Sequence, residues 1–182
     1  GSTMLSGRSA FTIAGWIKFR IADITGRTSL FGQNNAIEFG FANSTTIECY
    51  TVATGAVTAA LPASLGNDQW HHISVTGDGT HIRIYIDGVS VPVTGGVVNT
   101  SNYGTSAFST KIGGRVFNDT TGETFTGDIL KAVFFSTALP ASRIASLAFG
   151  PTTYSGFESG IIAGYNFYDG AGTTLTSIPA GY

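Results

Sequence analysis

The chain has 182 residues, of which only 11% are charged, and its formal net charge is -2. A surface with so few cations is poorly suited to neutralising a phosphate backbone, which argues against nucleic acid as a partner. The 25 glycines, together with abundant threonine and serine, are typical of an all-β protein with many tight turns.

At this length we expect a single domain over residues 5–182, because residues 1–4 resemble an expression-vector remnant before a chosen start. No apolar run is long enough to span a bilayer, so no membrane insertion is expected, and no segment has the pattern of a signal peptide. The lone Cys49 excludes an internal disulfide framework and a cysteine-based zinc cluster. We interpret it as a small apolar core residue.

The first half of the chain has the pattern of a β-meander. Residues 11–20 alternate apolar and polar side chains, with Phe11, Ile13 and Ile17 on one face, and therefore predict a first strand. Clusters of Asn, Gly and Ser separate the shorter candidate strands that follow, at 29–33, 36–42, 45–53 and 55–60.

Residues 70–91 carry the clearest strand pattern. Alternating isoleucines predict two antiparallel strands, each buried on one face. The pair Asp87–Gly88 lies between apolar runs and predicts a type I′ turn, because both residues tolerate the positive φ that this turn requires. By the same alternation, His81, Arg83 and Tyr85 lie on the face opposite the isoleucines.

Later in the chain, long polar loops alternate with strands. We expect loops at 95–105 and 118–123, and strands at 107–114, 125–136 and 161–168. Pro140, followed by Ile144 and Leu147 at helical spacing and by the stop at Gly150–Pro151, predicts one short helix over 140–149. About a dozen strands with one helix indicate a two-sheet sandwich.

Several motifs in order resemble the laminin-G-like branch of the concanavalin A-like lectin/glucanase superfamily. They are WHHISV from Trp70, IYIDG from Ile84, KIGG from Lys111, FTGDI from Phe125 and ALP from Ala138. The opening FTIAGWIKF and the closing IIAGYNFYDGAGTTLT are also similar to strands of that family, so the resemblance covers residues 11–176. It implies an all-β, two-sheet antiparallel jelly roll with one concave sheet, in which Trp70 anchors the start of a strand.

Hydrolases and lyases also occur on this fold, so catalysis has to be judged from the acidic residues. A retaining glycosidase needs two carboxylates about 5 Å apart. The family's acidic Glu-x-Asp-x-x-Glu strand is missing, and each glutamate lies on its own predicted element. Glu38 and Glu48 could still meet across neighbouring strands, but solvated or hydrogen-bonded surface carboxylates are the favoured interpretation. We therefore expect no enzyme.

The adjacent histidines, His71 and His72, point to opposite faces of a strand and cannot chelate one metal together. With Ile73 and Val75 facing inward, His71 has the core-facing parity. We expect His71 to be a partly buried, hydrogen-bonded ring. His72 is expected at the surface or in a groove.

Calcium is one alternative, because relatives of the laminin-G-like and pentraxin types often bind it at a rim. Two family positions differ here: Leu130 replaces a frequent acidic residue, and Ser177-Ile178-Pro179 replaces a frequent Asp-x-Ser-Gly-Asn segment. Loop oxygens could still come from Asp119 and Glu123, with Asn118, or from Asn67-Asp68. The same residues are also frequent turn formers.

Glycan binding needs an aromatic platform with a few polar groups around it. Trp16, with Lys18, has the outward parity on the first strand, and His81, Arg83 and Tyr85 form a polar-aromatic strip. Strand ends and loops add Tyr50, Tyr103, Arg115 and Asn118. The leading hypothesis is a non-catalytic, lectin-like adhesion module that binds a glycan or surface polysaccharide outside the cell, at a cell or virion surface.

A structural protein is the competing interpretation. Low charge with high Thr, Ser and Gly content is also typical of phage tail or capsid decoration modules. This alternative predicts a homo-oligomer, or docking to a virion or cell-surface protein, instead of a sugar groove.

Overall fold

The computed structural model describes residues 2–117, 123–149, 159–167 and 177–178. The strands and the single α-helix within these ranges are β1 Phe11–Arg20, β2 Thr28–Gln33, β3 Ile37–Asn43, β4 Thr46–Thr51, β5 Gly55–Ala60, β6 Asn67–Gly77, β7 Ile82–Ile86, β8 Val89–Val91, β9 Thr110–Ile112, β10 Asp128–Phe135, α1 Ala141–Ala148, β11 Ile161–Asn166 and β12 Ser177–Ile178. One 3₁₀ turn follows β1 at Ile21–Asp23.

The strands form two antiparallel sheets. The larger has seven strands in the order β12-β11-β10-β1-β6-β7-β8, and the smaller has five in the order β5-β4-β3-β2-β9. Both sheets contain neighbours that are distant in sequence, such as β1 beside β10 and β2 beside β9. The predicted all-β, two-sheet antiparallel jelly-roll sandwich with one short helix is confirmed.

The predicted boundaries hold best where the period-two pattern is strongest. β1 and β5 begin and end at the predicted residues, whereas β9 and β10 are shorter than the predicted 107–114 and 125–136. β10 begins only at Asp128, because Gly127 has a φ of 155° and crosses so close to the backbone of Lys18 that a Cβ there would clash.

The main core lies between the sheets and is built by their inward-facing aromatic and isoleucine side chains. Phe19 packs against Phe41 with ring centroids 4.9 Å apart, which joins the large sheet to the small one. Cys49 is fully buried in this cluster, as predicted. Its thiol is therefore part of the apolar packing.

A second apolar layer covers part of the outer face of the seven-stranded sheet. Ile144 and Leu147 of α1 are buried there against Tyr85 and against Ala14, Val133 and Phe135 of the sheet. An amphipathic helix with two buried residues a turn apart is what the spacing 144–147 predicts. The larger sheet is consequently covered on both faces over part of its surface.

The residues before the predicted domain start contact the rest of the fold. The Thr110 N–H donates to the carbonyl of Ser2 at 2.7 Å, and the Met4 N–H donates to the Thr110 hydroxyl at 3.2 Å. Leu5 is fully buried, and its N–H donates to Gln33 Oε1 at 2.9 Å. Within the described residues, no helix has the length and hydropathy needed to cross a membrane.

Candidate functional site

The turn after β7 locks the hairpin that carries the strongest sequence motif. Asp87 and Gly88 have φ values of 50° and 80°, as a type I′ turn requires. Asp87 Oδ2 lies 2.8 Å from His71 Nδ1, and Asp87 Oδ1 accepts the His72 N–H at 2.9 Å. His71 also contacts Asn67 Oδ1 through Nε2, at 3.2 Å. The prediction of a partly buried, hydrogen-bonded His71 is confirmed, with 11% of its side chain exposed.

The position expected for His72, at the surface or in a groove, is wrong. Its side chain faces the outer side of the sheet but is fully buried, because Trp16 packs edge-on against it at 5.6 Å and α1 lies over β6. Among the residues that the structure describes, neither ring nitrogen has a hydrogen-bond partner, and the nearby Ser74 hydroxyl has none either. Burial lowers the pKa of His72 to about 4, against a smaller opposing effect of Asp87.

A groove of about 440 Å³ lies on the outer face of the large sheet, beside the start of α1. Side chains of β7 and β8 form one wall, and the connection from β10 to α1 forms the other. The lining includes Asp78, Arg83, Tyr85, Ser90, Leu139 and Pro140. Thr12 Oγ1 accepts the Leu139 N–H at 2.9 Å and donates to the Thr137 carbonyl at 2.7 Å. These bonds fix the second wall to β1.

An ion pair spans part of the groove. Arg83 Nη1 lies 2.6 Å from Asp78 Oδ2, and the Arg83 side chain is 41% exposed. Asp78 Oδ1 accepts hydrogen bonds from the Thr80 N–H, the Thr80 hydroxyl and the His81 N–H at 2.9, 2.7 and 2.6 Å. Partial burial raises the pKa of Asp78, but the hydrogen bonds from Arg83, Thr80 and His81 outweigh it and hold the pKa well below its usual range.

The three residues of the predicted polar-aromatic strip do lie together at the groove. The role of Tyr85 differs from the prediction. Arg83 and Tyr85 line the groove, and His81 lies at its edge beside Asp78. Tyr85 is almost fully buried because α1 packs over it. It can form a wall but not the open platform that was expected.

Trp16 and Lys18 lie at the opposite end of the same outer face. Lys18 Nζ is 2.9 Å from Asp128 Oδ2 and 5.6 Å from the centroid of the Trp70 ring. Trp16 is half-buried against His72, whereas Trp70 is 38% exposed. Trp70 was interpreted as a strand anchor, yet it supplies the more accessible ring; its outward parity with His72 and Ser74 was the available signal.

Tyr50 lies on the outer face of the smaller sheet, in a cluster organised by Arg27, a residue that the sequence analysis missed. The Arg27 guanidinium lies 3.7 Å above the Phe117 ring and 5.8 Å from the Tyr50 ring. Its Nε is 2.6 Å from Glu48 Oε1, and its Nη2 is 3.8 Å from Glu38 Oε2. No periodic pattern marks Arg27, which lies in a loop before β2.

Glu38 and Glu48 do meet across neighbouring strands, as the sequence left open, but neither is the surface carboxylate that it favoured. Their side chains are only 3% and 8% exposed, because Arg27 and Phe117 cover them. Burial raises the pKa of Glu38 to about 7, although the Asn35 N–H and Arg27 oppose this shift. The pair is tied to one guanidinium and has little contact with solvent.

The remaining candidates are dispersed. Tyr103 is fully buried, accepts the Gly79 N–H at 2.8 Å and packs on Phe11, so it has no surface to offer a ligand. Arg115 is exposed in the loop after β9. Asn118 and Asp119 lie outside the described residues. Tyr103 therefore has a packing role, which corrects its assignment as a loop contact.

Calcium ligation by Asp119 and Glu123 stays a prediction. Glu123 Oε2 is buried and has no hydrogen-bond partner within the described ranges, while the Glu123 carbonyl accepts the Ser29 N–H at 2.7 Å. Among the residues that the structure describes, no group of three or more His, Cys, Asp or Glu side chains has metal-binding geometry.

The two-sheet jelly roll, with its motif-bearing hairpin and outer groove, defines the class of concanavalin A-like domains. The chain belongs to the Laminin_G_3 family, of the concanavalin A-like lectin/glucanases superfamily, whose family model matches residues 1–145. A comparison with curated proteins finds no match.

Solved structures share this fold at low sequence identity. A protein from Bacteroides ovatus, described as a candidate carbohydrate-binding protein, has a TM-score of 0.75 and 15% identity over 96% of this chain, which spans 51% of that protein. Domain 4 of AbnA, an extracellular arabinanase from Geobacillus stearothermophilus solved with arabinotriose, has a TM-score of 0.56 and 20% identity, covering 80% of this chain and 69% of that one.

A third structure comes from work on the dependence of botulinum neurotoxin type C on two ganglioside molecules for cell entry. It has a TM-score of 0.52 and 21% identity, and covers 77% of this chain and 35% of that one. At these identities the likeness shows the fold alone.

Proposed function

We propose that this domain is a non-catalytic module that recognises a glycan outside the cell, at a cell or virion surface. The groove beside α1 carries the proposal. Its volume of about 440 Å³ lies in the range of small-ligand sites, and it combines an apolar wall with a few polar groups. Several proteins of similar structure are described as binding carbohydrates or gangliosides, which supports the same class of ligand.

The two walls of the groove suit the two kinds of surface on a sugar ring. Leu139 and Pro140 offer apolar contact for the C–H face, and the Ser90 hydroxyl and the Arg83 guanidinium offer hydrogen bonds to ring substituents. The Thr12 hydrogen bonds hold Leu139 in place before binding. A preformed site loses less conformational entropy when a ligand binds.

A second aromatic surface supports recognition of a longer chain. Trp70 and Trp16 lie on the same outer face as the groove, with Lys18 beside the Trp70 ring. Exposed indole faces are well suited to pack against sugars. We propose that this end contributes additional contacts to a polysaccharide.

The buried glutamate pair supports a non-catalytic role. Glycoside hydrolysis needs two carboxylates that reach the scissile bond from solvent-accessible positions. Glu38 and Glu48 are instead buried beneath Arg27 and Phe117, with side chains only 3% and 8% exposed. We attribute a structural role to this pair.

A glycan array, probed at high protein concentration with and without calcium, tests the proposal. We expect binding to a subset of glycans by the wild-type domain, and weaker binding by R83Q. The matched control is R20Q, because Arg20 also pairs with an aspartate, Asp23, but lies on exposed surface outside the groove. Absence of binding to every glycan would contradict the proposal, as would equal binding by R83Q.

One observation favours the alternative of protein assembly. Phe149 and Val89 are 92% and 68% exposed, and both border a small cleft of about 120 Å³ at the end of α1. Exposed apolar side chains grouped in this way are frequent at protein contacts. Light scattering tests this alternative: homo-oligomers that dissociate in F149S would support it, and a monomer over a range of concentrations would count against it.

A further inference from the structure

The oxygen atoms of Asp78 are already used by the protein. Four donors serve its carboxylate: the Thr80 N–H, the Thr80 hydroxyl, the His81 N–H and Arg83 Nη1. A carboxylate has about four lone-pair positions, so little acceptor capacity is left for sugar hydroxyls. Asp78 therefore positions Arg83 rather than offering itself to a ligand.

Arg83, in contrast, has unused donors. A guanidinium carries five N–H groups, and among the described residues Arg83 bonds only through Nη1, to Asp78. Its side chain is 41% exposed and lines the groove. Nε and Nη2, which form one edge of the guanidinium, therefore have no hydrogen-bond partner among the described residues.

From this arrangement we infer that the groove takes a saccharide bearing a carboxylate, which pairs with the free edge of Arg83. The inference rests on the proposed glycan-binding function and specifies its ligand class. A planar carboxylate matches the two parallel N–H groups of a guanidinium edge, and such charge-assisted pairs are the stronger hydrogen bonds. The Ser90 hydroxyl can serve the remaining sugar oxygens from the same groove.

The negative charge of Asp78 does not prevent this pairing. Its four hydrogen bonds include one from a guanidinium, so its charge is compensated locally. In the groove, Asp78 thus fixes the orientation of Arg83 while leaving the opposite edge for an anion. Arginine pairs with carboxylates on two of its edges in this way because its donors lie in one rigid plane.

Isothermal titration with two acidic sugars tests the inference and distinguishes two sources of the carboxylate. The probes are trigalacturonic acid against its methyl ester, and sialyllactose against its methyl ester. We expect at least one acid to bind about tenfold more tightly than its neutral counterpart, as a charged hydrogen bond implies. R83Q should lose this preference, R83K should keep part of it, and R20Q should keep all of it.

The outcomes separate the inference from the proposed function. Equal affinity for acidic and neutral sugars, with both lost in R83Q, would overturn the carboxylate inference and leave glycan binding in place. A preference for acids that persists in R83Q would also overturn it. If neither these sugars nor any glycan on the array is bound, both the carboxylate inference and the proposed glycan-binding function are contradicted. R83K retains the ion pair with Asp78 and so guards against misfolding of R83Q.

Discussion

Asp87 and His71 are joined by a 2.8 Å contact between a carboxylate oxygen and a ring nitrogen, across the hairpin of β6 and β7. The same carboxylate holds the backbone N–H of His72. One turn residue thus clamps the neighbouring strand at two successive positions. This explains why the histidine pair and the Asp-Gly turn occur together in the most recognisable motif of the chain.

Removing the clamp should destabilise the domain. D87A removes both hydrogen bonds and places alanine at a φ of 50°, so we expect the free energy of unfolding to fall by about 2 kcal/mol in urea denaturation. Asparagine tolerates this φ and keeps an acceptor for the His72 N–H, so D87N should lose less unfolding free energy than D87A. The control is D23A, which breaks the ion pair of Asp23 with Arg20 at the surface. If D87A lowers the free energy of unfolding no more than D23A does, the clamp does not stabilise the fold.

Acid should weaken the fold through His72. Its pKa is about 4 in the folded state against an ordinary 6.5, so the unfolded chain binds more protons between these values. Stability is therefore fully present above pH 6.5 and falls as the pH drops toward 4, by up to about 3 kcal/mol. Urea denaturation of wild type and H72F over pH 4–7.5 measures this difference, and parallel curves would contradict it.

Glu38 should act in the opposite direction. Its pKa is about 7 in the folded state against an ordinary 4.5, so the folded protein binds the extra proton. Stability is lost as the pH rises from 4.5 through 7. E38Q mimics the protonated side chain and should gain stability relative to wild type over this window. Urea denaturation of wild type and E38Q over the same pH range checks this prediction. If E38Q becomes less stable than wild type as the pH rises, Glu38 is not a buried acid with a raised pKa.

Sequence periodicity predicted most of the strands and the helix of a two-sheet sandwich, and the resemblance of the ordered motifs to a known family implied the jelly roll. The alternation at β1 and at β6–β7 gave the strands, and Pro140 with Ile144 and Leu147 gave the helix. It could not show that α1 covers the outer face of the large sheet, because parity distinguishes two faces without saying whether solvent touches both. That limit accounts for His72 and Tyr85, both outward by parity and both buried.

The candidate site was predicted in part for a related reason. Arg83 follows from its strand parity, and its partner Asp78 lies five residues earlier in the turn of the same hairpin. The wall at Leu139, in contrast, comes from a segment that only the tertiary fold brings beside Arg83. Arg27 was missed because its role depends on Glu38, Glu48 and two aromatic rings that no local pattern connects. Long-range pairing of this kind is invisible to a local motif.

Cys49 should be chemically inert in the folded protein. Its thiol is fully buried, and burial raises its pKa further above the ordinary value, so almost no thiolate forms near neutral pH. We expect no reaction with a thiol reagent such as DTNB in buffer, and one equivalent of reaction in denaturant. Rapid labelling of the native domain would show that the core around Cys49 opens.

Mapping a bound glycan onto the groove tests the central claim most directly. In ¹H–¹⁵N spectra recorded during titration with an array-positive glycan, we expect the largest shifts at Asp78, Arg83 and Ser90, and their loss in R83Q. Shifts confined to the surface around Trp70, or to the smaller sheet around Tyr50, would contradict the assignment of the site to the groove.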